Sequence, residues 1–183
     1  MIAKILSVAL TTVFLSGCGG FVKSNIAEFH RLSENLTPTT YAFIPLEGQE
    51  DDVEYNTYQD LIRQQLSKHQ YREVIPQETP TVIIAYIYGN YGTYSGITTY
   101  SPTYGIIGSP TVSTTEYNLA LWLYVVDAKS VGTEKINVLY EGRVISVGKS
   151  SQLSEVMPEM IEVLFKKFPG ESGATRTEIK AIK

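Results

Sequence analysis

Cysteine is all but missing from this 183-residue chain: Cys18 is the only one, so no disulfide can staple the fold from within. Histidine is nearly as scarce. With His30 and His69 alone beside that cysteine, the chain cannot assemble the several Cys or His ligands that zinc sites recruit, and neither a metal nor a cofactor is expected. The loops of common enzyme chemistry are missing too. In GRVISVGKSS five residues separate Gly142 from Gly148, where a phosphate-binding loop needs four for its amides to curl round the phosphates. GTYSG, Gly92 to Gly96, sets its serine one place late for a nucleophile elbow. The acidic run Glu47, Glu50, Asp51, Asp52 and Glu54 lacks the alternating register of a calcium loop and reads as the start of a helix. A non-enzymatic protein is expected. The alternative is a hydrolase with a dispersed site built on His30 or His69 with Asp or Ser, since triad members need not be neighbours in sequence.

Positive charge is also in deficit: 15 Lys and Arg against 19 Asp and Glu leave a net charge of -4. That sign argues against nucleic acid as a partner and against electrostatic binding to an anionic lipid surface. A spanning hydrophobic run is absent from the opening MIAKILSVALTTVFLSGCGG, where Ile5 to Phe14 is short and interrupted by Ser7, Thr11 and Thr12. One cation, an apolar stretch and then small residues is instead the layout of a secretory signal. Leu15-Ser16-Gly17-Cys18 resembles the lipobox of bacterial lipoproteins, in which the signal is cut before the cysteine and the cysteine is acylated. The expectation is a signal over 1–17 and a lipidated linker over 18–22. Two or three acyl chains hold a protein to a membrane almost permanently, so the anchor would be the lipid on Cys18. By the same resemblance, Gly19 after the acceptor favours the outer membrane, on its periplasmic face.

What remains is the size of one domain, set at 23–170 with a polar tail over 171–183 that either frays or adds an edge strand. KSNIAEFHRL alternates weakly and TYAFIP is a short strand stopped by Pro45. Tyr58, Leu61, Ile62, Leu66 and His69 fall at helical spacing after the acidic run. TVIIAYIY is β-branched and aromatic. In TTEYNLALWLYVVDA, Leu119, Leu121, Leu123 and Val125 face one way and Ala120, Trp122, Tyr124 and Val126 the other, which predicts a central strand. VLYEGRVISVG returns antiparallel to it. Met157, Met160, Ile161, Leu164, Phe165 and Phe168 form a second helical stripe, with Ser154 as N-cap and a regular start near Glu155, because Pro158 is tolerated only in a first turn. These elements predict an α+β two-layer sandwich: a mostly antiparallel sheet with two helices packed on one face.

Between the two long strands lies YIYGNYGTYSGITTYSPTYGIIG, Tyr86 to Gly108, which holds six of the thirteen tyrosines among Gly, Ser and Thr. It is expected to form a hairpin loop over 89–110. Tyrosine offers a large rigid ring with a polar tip, and Tyr with Ser and Gly is the chemistry of adaptable binding loops. Tyr91, Tyr94, Tyr100 and Tyr104 are therefore the candidate binding residues, for an envelope protein or a glycan. A third reading is self-association through a bare strand edge, either KSNIAEFHRL or the C-terminal tail.

LALWLYVVDAKSVGTEKINVLYEGRVISVG, with its apolar strand ending in Val-Asp-Ala and its returning LYEGRV, followed by the closing LFKKFPG, resembles a family of bacterial lipoproteins known only as domain of unknown function 4136. TYAFIP followed by a helix and a strand, and the tyrosine-rich insert, fit as well, so the resemblance spans about Lys23 to Gly170. Tyr140 and Glu141 stand where the family commonly carries a tryptophan. The resemblance implies a lipidated envelope domain with no assigned activity and no catalytic residues to carry over.

Overall fold

Seven strands and two helices follow from this patterning: β1 (Phe21–His30), β2 (Thr40–Phe43), α1 (Val53–Lys68), β3 (Arg72–Glu73), β4 (Val82–Thr99), β5 (Thr111–Asp127), β6 (Val138–Gly148), α2 (Leu153–Phe165) and β7 (Thr175–Ala181). The structure, a computed structural model, describes residues 21–32, 39–45, 48–99 and 111–182. The strands form one sheet in the order β3-β2-β4-β5-β6-β1-β7. β2 runs parallel to β3 and β4, and the remaining pairs are antiparallel. The parallel step has a physical reason: a parallel return needs a crossover, and α1 supplies it.

Alternation then sorts the two faces. Val22 and Ile26 of β1, Ile84 and Tyr86 of β4, Leu119 to Val125 at every second place of β5, and Tyr140 and Val144 of β6 are all buried beneath the helices. α1 contributes Tyr55, Tyr58, Ile62 and Leu66 to this core, and the expected stripe of α2 is buried from Met157 to Phe168. The two helices touch each other on that one face. The architecture is therefore the expected α+β sandwich, with β5 central.

Asp52 caps α1 by accepting from the amides of Glu54 at 2.8 Å and Tyr55 at 3.3 Å, as acids before the stripe suggest. α2 departs from expectation. It begins at Leu153, so Ser154 lies inside it, and Gln152 at the N-cap makes no side-chain cap bond. Ser150 works one step earlier, accepting from the Gln152 amide at 3.1 Å and donating to Glu155 at 2.6 Å. Pro158 removes only the bond to the carbonyl of Ser154, an exposed residue whose carbonyl water can satisfy, so the helix runs through it.

One boundary and one route to self-association are corrected as well. Phe21 already pairs with Ala181, so the end of the expected 18–22 linker belongs to β1. The polar tail over 171–183 takes the edge-strand outcome: it forms β7, paired with β1. β1 itself is flanked by β6 and β7 and offers no free edge, which removes KSNIAEFHRL as a route to self-association.

Candidate functional site

β4 and β5 pair along their whole length, from Val82 opposite Asp127 to Thr99 opposite Thr111. Their neighbours stop earlier. β2 pairs with β4 only as far as Ile84, and β6 leaves β5 at Tyr117 opposite Gly148. Beyond that line, residues 94–99 and 111–116 continue as a two-stranded ribbon without a third strand among the described residues. Six residues at 3.4 Å each carry it about 20 Å past the end of the sheet. The expected loop over 89–110 is thus paired strand as far as Thr99. Glycine and serine suggested a loop, but Thr, Tyr and Ile are strong strand formers and the ladder to β5 supplies their partner.

A bulge marks where ribbon and sheet meet. The register shifts between Asn90 and Gly92, and the Asn90 side chain accepts from the Gly92 amide at 2.9 Å. An extra residue there increases the local twist and re-aims the side chains around it. Tyr91, the inserted residue, is 65 % exposed and meets the edge of Trp122 at 6.0 Å between ring centres. Tyr94 is 66 % exposed. Both rings therefore stand open for contact. Tyr100, Tyr104 and Cys18 lie outside the described residues. Trp122, which sequence reasoning had placed only on the second face of β5, joins the site because the bulge brings Tyr91 back to it.

The other tyrosines do different work. Tyr86 donates to the carbonyl of Tyr55 at 2.6 Å and stacks on the Tyr55 ring at 4.5 Å, and burial pushes its phenol well above the usual range. Tyr88 meets Tyr58 edge-on at 4.9 Å and is pushed up to about 12, chiefly by burial. The tyrosine-rich segment therefore divides. Its first two members are core, and the exposed pair begins at Tyr91.

Among the described residues, His30 and His69 do not converge on a nucleophile. The His69 ring packs on Phe165 and Phe168, at 6.0 Å and 5.2 Å. His30 uses Nε2 on the carbonyl of Gly170 at 3.1 Å and lies against Tyr140. The nearby Ser172 hydroxyl is engaged by the backbone of His30, accepting from its amide at 2.9 Å and donating to its carbonyl at 3.0 Å. Beside them Glu28, 1 % exposed, accepts from Tyr140 at 3.0 Å and pairs with Arg176. Arg176 also donates to the carbonyls of Val163 and Leu164, at 2.8 Å and 3.1 Å, which closes the C-terminal end of α2. This cluster locks β1, β6, β7 and α2 together, and no sequence motif announces it. Among the described residues, no group of three or more His, Cys, Asp or Glu side chains could hold a metal ion.

At the opposite end of the hairpin, a half-open hollow of about 580 Å³ is lined by Pro80, Val82, Asp127, Lys129 and Leu139. Its one carboxylate, Asp127, is occupied by the Lys129 amide at 3.0 Å. Phe21 and Phe29 of β1 are exposed as well, but only Tyr91 and Tyr94 sit where the sheet runs out into the ribbon.

The family model described as domain of unknown function (DUF4136) matches residues 32–170, three quarters of the chain. The chain belongs to the DUF4136 family. No curated protein matches the sequence. Among solved structures, it is similar to a PDZ domain protein from Parabacteroides distasonis, with a TM-score of 0.53 and 13 % identity over 88 % of this chain. This DUF4136 protein spans 39 % of that chain, so the likeness is one of fold. Two structures of a PelC dodecamer from Paraburkholderia phytofirmans are more distant. Their TM-scores are 0.45 and 0.44 at 9 % and 10 % identity, covering 81 % of this chain and 99 % of theirs.

Proposed function

We propose that this DUF4136 protein is a lipid-anchored, non-enzymatic binding or scaffold module of the cell envelope. It is tethered through Cys18 on the periplasmic face of the outer membrane and presents its tyrosine-bearing ribbon to an envelope protein or a glycan. The observation that carries the reading is the ribbon: an arm about 20 Å long whose one charged residue is Glu116 at its base, with Tyr91 and Tyr94 about two-thirds exposed there. Rigid amphipathic rings on a protruding arm give contact area at low entropic cost. The signal layout and the Leu-Ser-Gly-Cys sequence support the tether.

Photocrosslinking in intact cells from positions 91, 94, 100 and 104 tests the binding surface. A discrete captured protein supports an assembly role, and captured cell-wall material supports glycan tethering. An empty result at all four positions, with a control position on the sheet capturing something, removes the ribbon as a binding site. Separately, Cys18→Ser is expected to move the protein from the membrane fraction to the soluble one, and unchanged membrane retention would refute the lipid anchor.

A further inference from the structure

Among the described residues the outer strands of the sheet are β7 and β3, and β4 and β5 add bare edges where the ribbon outruns their neighbours; these edges are not alike. β7 carries Arg176, Glu178 and Lys180 at alternate places, each engaged with α2 or its flank, so a strand arriving there meets charge. β3 is two residues long, Arg72 and Glu73. Short edges and edge charges are the devices by which sheets refuse unwanted strands. The body end of the β4 edge has its own guard, the bulge at Asn90 and Gly92. From Thr93 to Thr99 the guards end: this stretch has no charge and no proline and, among the described residues, no strand on its outer side. A two-stranded ribbon in water is marginal by itself, and a third and fourth strand would stabilise it.

We propose that the β4 edge of the ribbon, residues 93–99, pairs antiparallel with the same edge of a second copy of this chain. The result is a four-stranded sheet with two-fold symmetry, in the order β5-β4-β4-β5. Charge selects this occupant. The chain is net acidic, so two copies repel wherever their bodies meet. The β4 edge of the ribbon, residues 93–99, carries no charge, and the ribbon's one charge is Glu116 at its base on the other strand. Antiparallel pairing centred near Gly96 places the two bodies at opposite ends of a joint about 24 Å long, three times the screening length of about 8 Å at physiological salt. Main-chain bonds then form where charge repulsion has died away. Because the same edge is used on both sides, the assembly closes at two copies and does not grow. The β5 edge is shorter and ends on Glu116. The pairing deepens the proposed docking role of the ribbon and does not depend on how the chain is anchored.

The test places a cysteine at the edge, Ser95→Cys, in the full chain, and treats intact cells with a short bismaleimide. One species at twice the monomer mass is expected, absent from a Ser150→Cys control off the ribbon. Adding Thr93→Lys, which guards the edge, is expected to reduce that species roughly tenfold or more, while circular dichroism of the purified variant remains that of the folded protein. No double-mass species, or one unaffected by Thr93→Lys, overturns the proposal. A ladder of higher multiples overturns the two-fold closure. Capture of a species of another mass overturns the second copy as occupant and leaves the ribbon standing as a docking arm for a different partner.

Discussion

Glu28 and Arg176 show how much one buried pair can carry. Glu28 is 1 % exposed, and Arg176 meets it while closing two carbonyls of α2. Removing one partner leaves a buried charge alone, so Arg176→Ala is expected to cost about 3–5 kcal/mol, measured by urea unfolding. A loss below about 1 kcal/mol would mean that water reaches Glu28 and the pair is not sealed. Gly170 belongs to the same cluster. At a φ of 75° it occupies backbone space that L residues avoid, and a Cβ there would stand 2.5 Å from Glu28 Oε2, so Gly170→Ala is expected to be destabilising as well. None of this was legible beforehand. Glu28 sits in an unremarkable alternating strand, and its partners lie 112 and 148 positions away.

Among the elements, α2 is the one whose local sequence and surroundings disagree. Its stripe of Met, Ile, Leu and Phe is unmistakable at a 3.6-residue period, and every member from Met157 to Phe168 is buried as read. Its start was misplaced by two residues, because a proline usually marks a first turn and here burial of the stripe carries the helix past it. Pro158 is exposed, so Pro158→Ala should restore the bond to Ser154 without disturbing the core. A gain of up to about 3 kcal/mol is expected from thermal unfolding, and an unchanged or lowered stability would show that the proline ring is needed for packing. The ribbon misled in the opposite sense. Glycine and serine argue against a strand locally, yet a Cβ at Gly89 would meet nothing within 4 Å and one at Gly92 only Asn118 at 3.9 Å, so neither glycine is demanded by crowding. Pairing decides, and pairing is not local.

For the molecule as a whole, helices α1 and α2 cover the sheet over β4, β5, β6 and β1, whereas residues 94–99 and 111–116 extend beyond the last β6 pair. Excising 94–116 and closing on an Asn-Gly turn is expected to leave unfolding within about 0.5 kcal/mol of the parent. A larger loss would show that the arm supports the core.

The buried tyrosines set the alkaline limit of the fold. Tyr41 and Tyr71 are pushed up to about 12, and Tyr86 and Tyr140 further, chiefly by burial. Each holds its proton in the folded state at pH values where the unfolded phenol, near 10, has lost it. The folded state therefore binds more protons, and stability is full below pH 10 and falls as pH rises toward 12 and beyond. A phenolate titration should show these rings ionising together with unfolding, and independent ionisation of all thirteen tyrosines in a folded chain would contradict the burial.

By itself the sequence determined the class of the protein: two helical stripes, a central strand apolar on both faces, and the resemblance that the family match bears out over residues 32–170. These depend on periodicity and short spacing, which a chain displays without folding. Tertiary structure alone decided that β1 lies between β6 and β7, that the polar tail completes the sheet, that Glu28, Tyr140 and Arg176 meet, and that residues 89–99 of the supposed loop are strand paired to β5. Each of these depends on which distant segments become neighbours. That choice is made by the burial of the whole core, since strand pairing carries no local code for its partner.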